Sequence, residues 1–200
     1  MDAPANVAGN HYDKYASTNP IERRMMSGFL AAFDGMVDGL EPAVLVEVGA
    51  GEGEITARLR ERFPTASVLG LDLADDELRR AWGGLDVPML FGDARALPFD
   101  DDSVDLVVAL EVLEHVPEPG AALAELHRIC RGRLVASVPR EPIWRAGNLA
   151  RGRYVRDLGN TPGHVNHWSA RAFVDFVGAE LTVDSVARPL PWTMVSAHPG

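Results

Sequence analysis

VLVEVGAGEGE, residues 44–54, decides how the rest of the chain is read. Apolar positions run through Glu47 to Val48, and glycine then recurs at 49, 51 and 53. The first half reads as a buried strand, because a strand covered on both faces is apolar rather than alternating. Glycine's advantage is its missing Cβ, so a turn this rich in it is one that something approaches closely. A P-loop requires Lys and Ser/Thr after its last glycine, and neither follows Gly53. A dinucleotide turn requires a small residue three positions beyond the second glycine. That position is Glu54, and Glu47 and Glu52 add further negative charge, so a pyrophosphate is a poor match.

Outward from the turn, strand and helix patterns alternate. Residues 53–62 read as a helix with Ile55 and Leu59 inward, SVLGLDL (67–73) as a strand, DDELRRAW (75–82) as a helix and PMLFGD (88–93) as a short strand. SVDLVVALEV (103–112) reads as an apolar strand, PGAALAELHRICR (119–131) as a helix and GRLVASVP (132–139) as a strand. Upstream, Asn19 and Pro20 open a helix to about residue 38, with Ile21, Met25, Met26, Phe29, Leu30 and Phe33 as its apolar stripe. Downstream, 169–180 is a helix, and 181–187 and 191–197 form a hairpin at the sheet edge. Alternation of this kind predicts an α/β fold, a parallel sheet with helices on both faces.

The 200 residues predict one domain, 1–200, with an N-terminal arm and lid helix over 1–40 and an insertion over 139–168 on the substrate side. The insertion is rich in Pro, Gly, Arg, Asn and Trp and is too long for a plain connector. A formal net charge of -10 argues against nucleic acid as a partner, although Arg140, Arg145, Arg151, Arg153 and Arg156 cluster in the insertion. One cysteine, Cys130, excludes an intrachain disulfide and reads as a buried small side chain. No apolar run reaches the roughly 20 residues of a membrane span, and MDAPANVAGN lacks the basic start and apolar run of a secretory signal, so a cytoplasmic location is expected.

Four pieces follow in order: E-x-G-x-G-x-G from Glu47 to Gly53, Asp72 at the end of LGLDL, Asp93 in LFGDARALPF, and DDSVDLVVALEVLEHV. Together they resemble the class I S-adenosylmethionine (SAM) methyltransferases, especially the quinone-biosynthesis type, over roughly residues 40–138. The resemblance implies a Rossmann-like, seven-stranded, mostly parallel sheet with one antiparallel strand in an edge hairpin, and SAM as cofactor. It implies that Gly49, Ala50, Gly51 and Gly53 pass under the methionine part and that Glu47 attracts its ammonium. Asp72 and Leu73 would meet the ribose, Asp93 and Ala94 the adenine, and Leu110 and Glu111 the end of the fourth strand. Ligands of open α/β sheets sit at the carboxyl ends of the strands, where all these residues fall.

Methyl transfer from a sulfonium is an in-line displacement dominated by positioning, and an alcohol, phenol or amine acceptor also requires a base. His115, His164 and His167 are the candidates; Tyr12, Tyr15, Arg23, Trp144 and Trp168 are candidates for contact with a small organic acceptor. His127 reads as structural or solvent-facing. E-x-x-E-H with a histidine about 50 residues later also resembles the small-RNA 3′-terminal 2′-O-methyltransferases. That resemblance implies a divalent metal on Glu111, Glu114, His115 and His164. The alternatives to a small-acceptor methyltransferase are therefore a metal-assisted RNA 2′-O-methyltransferase and a SAM-binding protein without catalysis. A purely structural part for Glu114 and the histidines, pinning the turn after the fourth strand, stands beside these.

Overall fold

A computed structural model describes residues 18–200. Tyr12 and Tyr15 lie outside the described residues. The first helix, α1 (Pro20–Val37), starts where the sequence places it: the Asn19 side chain accepts from the Ile21 amide, and Pro20 occupies the first turn. Proline suits this position because its missing N–H would have had no helical partner. Met26, Phe29, Phe33 and Val37 fall on one face and are buried. Ile21, expected in that stripe, is 70% exposed.

The strands are β1 (Val44–Val48), β2 (Ser67–Asp72), β3 (Met89–Phe91), β4 (Val104–Leu110), β5 (Cys130–Pro139), β6 (Thr182–Ala187) and β7 (Trp192–His198). They form one seven-stranded sheet in the order β3-β2-β1-β4-β5-β7-β6. The pairs among β1 to β5 are parallel, and β7 runs antiparallel to both β5 and β6. The fold expected from the alternation and the edge hairpin is therefore the one observed. Helices α2 (Glu54–Arg62), α3 (Asp76–Trp82), α4 (Pro119–Ile129), α5 (Ile143–Ala150) and α6 (Ala170–Val177) complete the described elements.

The core lies on both sides of the central strands. One cluster gathers Leu123, Leu126 and Ile129 of α4 with Phe173 and Val177 of α6. The other gathers Phe29 and Phe33 of α1 with Ile55 and Leu59 of α2 and with Trp192 and Met194 of β7. Full burial of such side chains contributes about 1.5–3 kcal/mol each. Cys130 is buried, and burial pushes its thiol up to about 11, so it stays protonated as a packing residue.

Several boundaries differ from the sequence reading, and the insertion carries structure of its own. Strand β4 ends at Leu110 rather than 112, because Glu111 adopts a left-handed φ of 61° that breaks the pleat. Strand β5 begins at Cys130, shortening the preceding helix to end at Ile129. The insertion contains an eight-residue helix, α5, and a short 3₁₀ turn over Val155–Asp157. Among the described residues, no helix is long and apolar enough to cross a membrane.

Candidate active site

The glycine turn leaves β1 at the carboxyl edge of the sheet. Gly49, Gly51 and Gly53 all have positive φ, at 77°, 53° and 91°. Their surroundings differ. A Cβ on Gly49 would lie 2.2 Å from Val112 Cγ2, and one on Gly53 would lie 2.4 Å from Leu85 Cδ1. A Cβ on Gly51 would meet nothing within 4 Å. All three positions have left-handed backbone; Val112 also crowds any side chain at 49, the movable end of Leu85 lies near 53, and the space beside 51 is open.

Hydrogen bonds hold this turn to β2. The Gly49 and Ala50 amides donate to Leu71 O at 2.7 and 3.0 Å. The Gly51 amide donates to Asp72 Oδ2 at 2.6 Å, and the Leu73 amide donates to Asp72 Oδ1 at 2.7 Å. Burial raises the Asp72 pKa above the usual carboxylate range, opposed by the two amides. Trp82 closes the turn from outside: its indole N–H donates to Gly51 O at 2.8 Å, and its ring packs on Phe91 at 4.6 Å.

Glu47 is 3% exposed and accepts from the Thr56 hydroxyl of α2. Burial pushes its carboxyl up to about 8. Asp93, after β3, takes the Arg95 guanidinium at 2.7 Å and the Arg95 amide at 2.9 Å; the guanidinium holds it below the ordinary aspartate value. Ala94 packs against the α4 side of the core.

After β4 the chain turns sharply. Glu111 is held by two donors, Trp192 Nε1 at 2.7 Å and Ser137 Oγ at 3.4 Å. Glu114, His115 and His164 come together, each offering a ligand atom within 4.8 Å of the others. Glu111 does not join them, so the four-residue metal set implied by the RNA-type resemblance reduces to three. Asn166 makes this meeting possible. Its Nδ2 donates to Leu113 O at 3.0 Å and Val116 O at 2.6 Å, while the Val165 and Asn166 amides donate to Glu114 O. His115 Nδ1 lies 3.0 Å from Gly163 O. A carbonyl only accepts, so Nδ1 carries a proton in this contact.

The remaining sequence candidates sort as follows. Trp144 stacks on His164 at 5.8 Å and donates to Thr161 Oγ1 at 2.9 Å. Trp168 packs on Phe173 and Phe176 of α6, which makes it a buttress of that helix. His167 stands apart from the histidine pair, its Nε2 at 2.7 Å from Asn160 Oδ1 and 3.1 Å from Arg145 Nη2; burial, then the Arg145 charge, lowers its pKa. Arg23 is on the exposed flank of α1. His127 sits at the surface, 3.7 Å from Glu180. Within the arginine cluster, Arg151 holds Glu22 of α1 and Asn148, and Arg145 faces Glu141. Thr56, Ser137 and Asn166 were not singled out in the sequence; only their polarity in otherwise apolar or turn contexts marked them.

A family model described as a methyltransferase domain matches residues 46–134, the stretch that builds this carboxyl edge from β1 into β5. Over that stretch the chain resembles the class I SAM-dependent methyltransferases. It is 34% identical over 122 residues to a malonyl-[acyl-carrier protein] O-methyltransferase of Geobacter sulfurreducens, covering 59% of this chain and 44% of that protein. It is 34% identical over 148 residues to the ubiquinone/menaquinone biosynthesis C-methyltransferase UbiE of Dinoroseobacter shibae, covering 67% and 59%. The chain spans about half the length of the curated relatives it matches. In fold it resembles the magnesium protoporphyrin IX methyltransferase of Synechocystis with bound S-adenosylhomocysteine, at a TM-score of 0.65 and 19% identity, covering 92% of this chain and 89% of that one.

S-adenosylmethionine is the cofactor of this methyltransferase class, and the residues present fit it. The open, left-handed turn at Gly51 gives a backbone that a ligand can approach, with Asp72 directly beside it.

Proposed function

We propose that this chain transfers a methyl group from SAM to a small organic acceptor, leaving S-adenosylhomocysteine. The observation that carries the reading is the junction of Gly51 and Asp72, an open turn locked to an acid at the carboxyl ends of adjacent strands. When bound, SAM supplies an electrophilic methyl on sulfur, and the C–S electron pair leaves with the sulfur.

The chain's own groups do the rest. Gly49, Ala50, Gly51 and Gly53 shape the floor under the methionine part. Glu47 meets its ammonium: a cation beside that buried carboxyl draws it into the ionised form. Asp72, with each oxygen already fixed by one amide, offers further lone pairs to ribose hydroxyls. Leu73 borders the ribose beside Asp72, Asp93 and Ala94 border the adenine, and Leu110 and Glu111 border the sulfonium end. His115 Nε2 takes the acceptor's proton, with Nδ1 anchored on Gly163 O. His164 and Trp144 form the adjoining wall.

One observation supports a second reading, in which the same chemistry is metal-assisted: the convergence of Glu114, His115 and His164. One carboxylate and two imidazoles leave coordination positions for substrate or water. Calorimetric titration with S-adenosylhomocysteine, with and without a divalent metal, separates the two. Micromolar binding indifferent to metal supports the first reading and justifies an acceptor screen. Metal bound once per chain and lost in both Glu114→Ala and His164→Ala supports the second. No binding of S-adenosylhomocysteine overturns both.

A further inference from the structure

Arg140 is the first residue beyond β5. Its backbone is fixed on two sides: the amide donates to Pro191 O at 2.9 Å, and the residue bridges Trp168. Its side chain is left in a different condition. Nε is buried and makes no hydrogen bond, and the guanidinium has no carboxylate partner among the described residues. Carboxylates are plentiful in a chain with 29 acidic against 19 basic residues. Two neighbouring arginines have found theirs: Arg145 faces Glu141 at 3.6 Å and Arg151 holds Glu22 at 3.2 Å. A buried polar donor without an acceptor is costly to keep, and a charged one more so.

The place is informative. Arg140 O accepts from the Trp144 amide, opening α5, whose Trp144 ring stacks on His164. Its bridge partner Trp168 follows directly on the segment that carries His164, Asn166 and His167. On the other side, β5 meets the Glu111 amide through Ser137 O. The unmatched guanidinium is thus attached to the part of the carboxyl edge that holds the histidine pair.

We propose that Arg140 recognises an oxyanion, and that the acceptor of the methyl group is therefore an anionic molecule bearing a carboxylate or a phosphate. A planar guanidinium pairs with either through two parallel N–H···O bonds. The inference rests on the methyltransferase reading of the site for the word acceptor; the anion site itself does not depend on it.

Arginine Nε–H signals in ¹H–¹⁵N spectra read the group directly, with Arg140 assigned by its loss in Arg140→Met. The protein is titrated with succinate, with inorganic phosphate and with the neutral succinamide, each with and without S-adenosylhomocysteine. The Arg140 signal should move saturably with an anion and respond about tenfold or more weakly to succinamide, because the charge-assisted pair is the recognition element. A response to succinate alone identifies a carboxylate acceptor, and one to phosphate alone a phosphorylated one. Arg140→Met should keep its thermal midpoint, since it removes an unmatched charge and retains the apolar stem. A signal unmoved by either anion, or moved equally by succinamide, overturns the proposal. So does a sharply lowered midpoint in Arg140→Met, which would make Arg140 a structural tie. Failure of the wild-type protein to bind S-adenosylhomocysteine is the failure of the methyltransferase reading, and the anion titration without it still decides the Arg140 site.

Discussion

Residues 44–93 and residues 139–168 meet at the same edge of the sheet and are held there by different means. In the first region, strands β1 and β2 are buried from Leu45 to Leu71 by aliphatic side chains on both faces. Its polar ties are short in sequence: Glu47 to Thr56 spans 9 residues, Gly51 to Asp72 spans 21 and Trp82 to Gly51 spans 31. In the second region, α5 buries one residue, and it is the polar Asn148. That stretch is secured by hydrogen bonds to distant segments: His115 to Gly163 across 48 residues and Asn166 to Leu113 across 53. The proposed cofactor side is thus built by apolar packing and the proposed acceptor side by polar stitching. Damage to the first should show as lost fold, and damage to the second as lost alignment in a protein that remains folded.

The largest effect expected from this contrast lies within the glycine turn itself. Gly49→Val forces a side chain onto Val112 and a β-branched residue into left-handed backbone. Overpacking and the left-handed conformation together cost about 2–5 kcal/mol, a large part of a domain's stability. Gly51→Ala has the backbone strain alone, about 1–2 kcal/mol, and puts a methyl into the open space where the cofactor must approach. Thermal melts and S-adenosylhomocysteine calorimetry on both variants check this. Gly49→Val should melt far lower; Gly51→Ala should stay folded and lose affinity by about tenfold or more, the size of a lost close contact. Equal destabilisation by the two substitutions would remove the distinction between a packing glycine and a ligand-facing one.

Glu47 sharpens the comparison, because here the packed region holds a functional group at the expense of stability. Its carboxyl is raised from 4.5 to about 8 in the folded state. The folded protein therefore keeps a proton that the unfolded chain releases between these values. Stability from this group is greatest below pH 4.5, falls as pH rises and levels off above about 8. Glu47→Gln keeps an acceptor for the Thr56 hydroxyl and cannot ionise. Denaturation across that range should show the variant equal to wild type at the acid end and more stable by roughly 2–4 kcal/mol at the alkaline end. Its affinity for S-adenosylhomocysteine should fall, since the carboxylate proposed to meet the ammonium is gone. Parallel stability curves for the two proteins would show that Glu47 is not a buried acid held protonated by the fold.

What the sequence disclosed follows the same division. Strands β1, β2 and β4 were legible because burial on both faces demands unbroken apolar runs. The turn was legible because three left-handed positions demand glycine. What lies against Gly49 and Gly53 was not, since Val112 and Leu85 sit far along the chain. The end of β4 was missed because Val112 continues the apolar run past Glu111, whose backbone has already turned. Helix α5 was missed because its apolar residues do not all face inward: Ile143 and Leu149 are exposed, Trp144 packs on the core, and its one fully buried side chain is the polar Asn148. The histidines were found by residue type, but the pairing of His115 with His164 depends on amides and carbonyls that every sequence carries alike. Arg140 was visible only as one of five nearby arginines; burial without a partner is a property of the fold.

Asn166 offers the finest test, because it belongs to neither the cofactor floor nor the histidine pair and acts only through other residues. Its amide holds Leu113 O and Val116 O, so the turn carrying Glu114 and His115 stays against the segment carrying His164. Asn166→Ala leaves two carbonyls without these donors, at a cost of about 1–3 kcal/mol. Asn166→Asp preserves shape while removing the N–H groups, and should do the same; agreement between the two assigns the loss to the bonds rather than to volume. The diagnostic readout is the His115 Nδ1–H signal in ¹H–¹⁵N spectra. With the turn released, His115 loses its anchor on Gly163 O, and that signal should broaden or vanish by exchange with water. S-adenosylhomocysteine affinity should hold, because Gly51, Asp72 and Glu47 lie in the apolar-packed region. Loss of cofactor affinity in Asn166→Ala would mean that the two regions are mechanically one. An unchanged His115 Nδ1–H signal would mean that apolar packing of Leu113, which is fully buried, suffices to hold the turn.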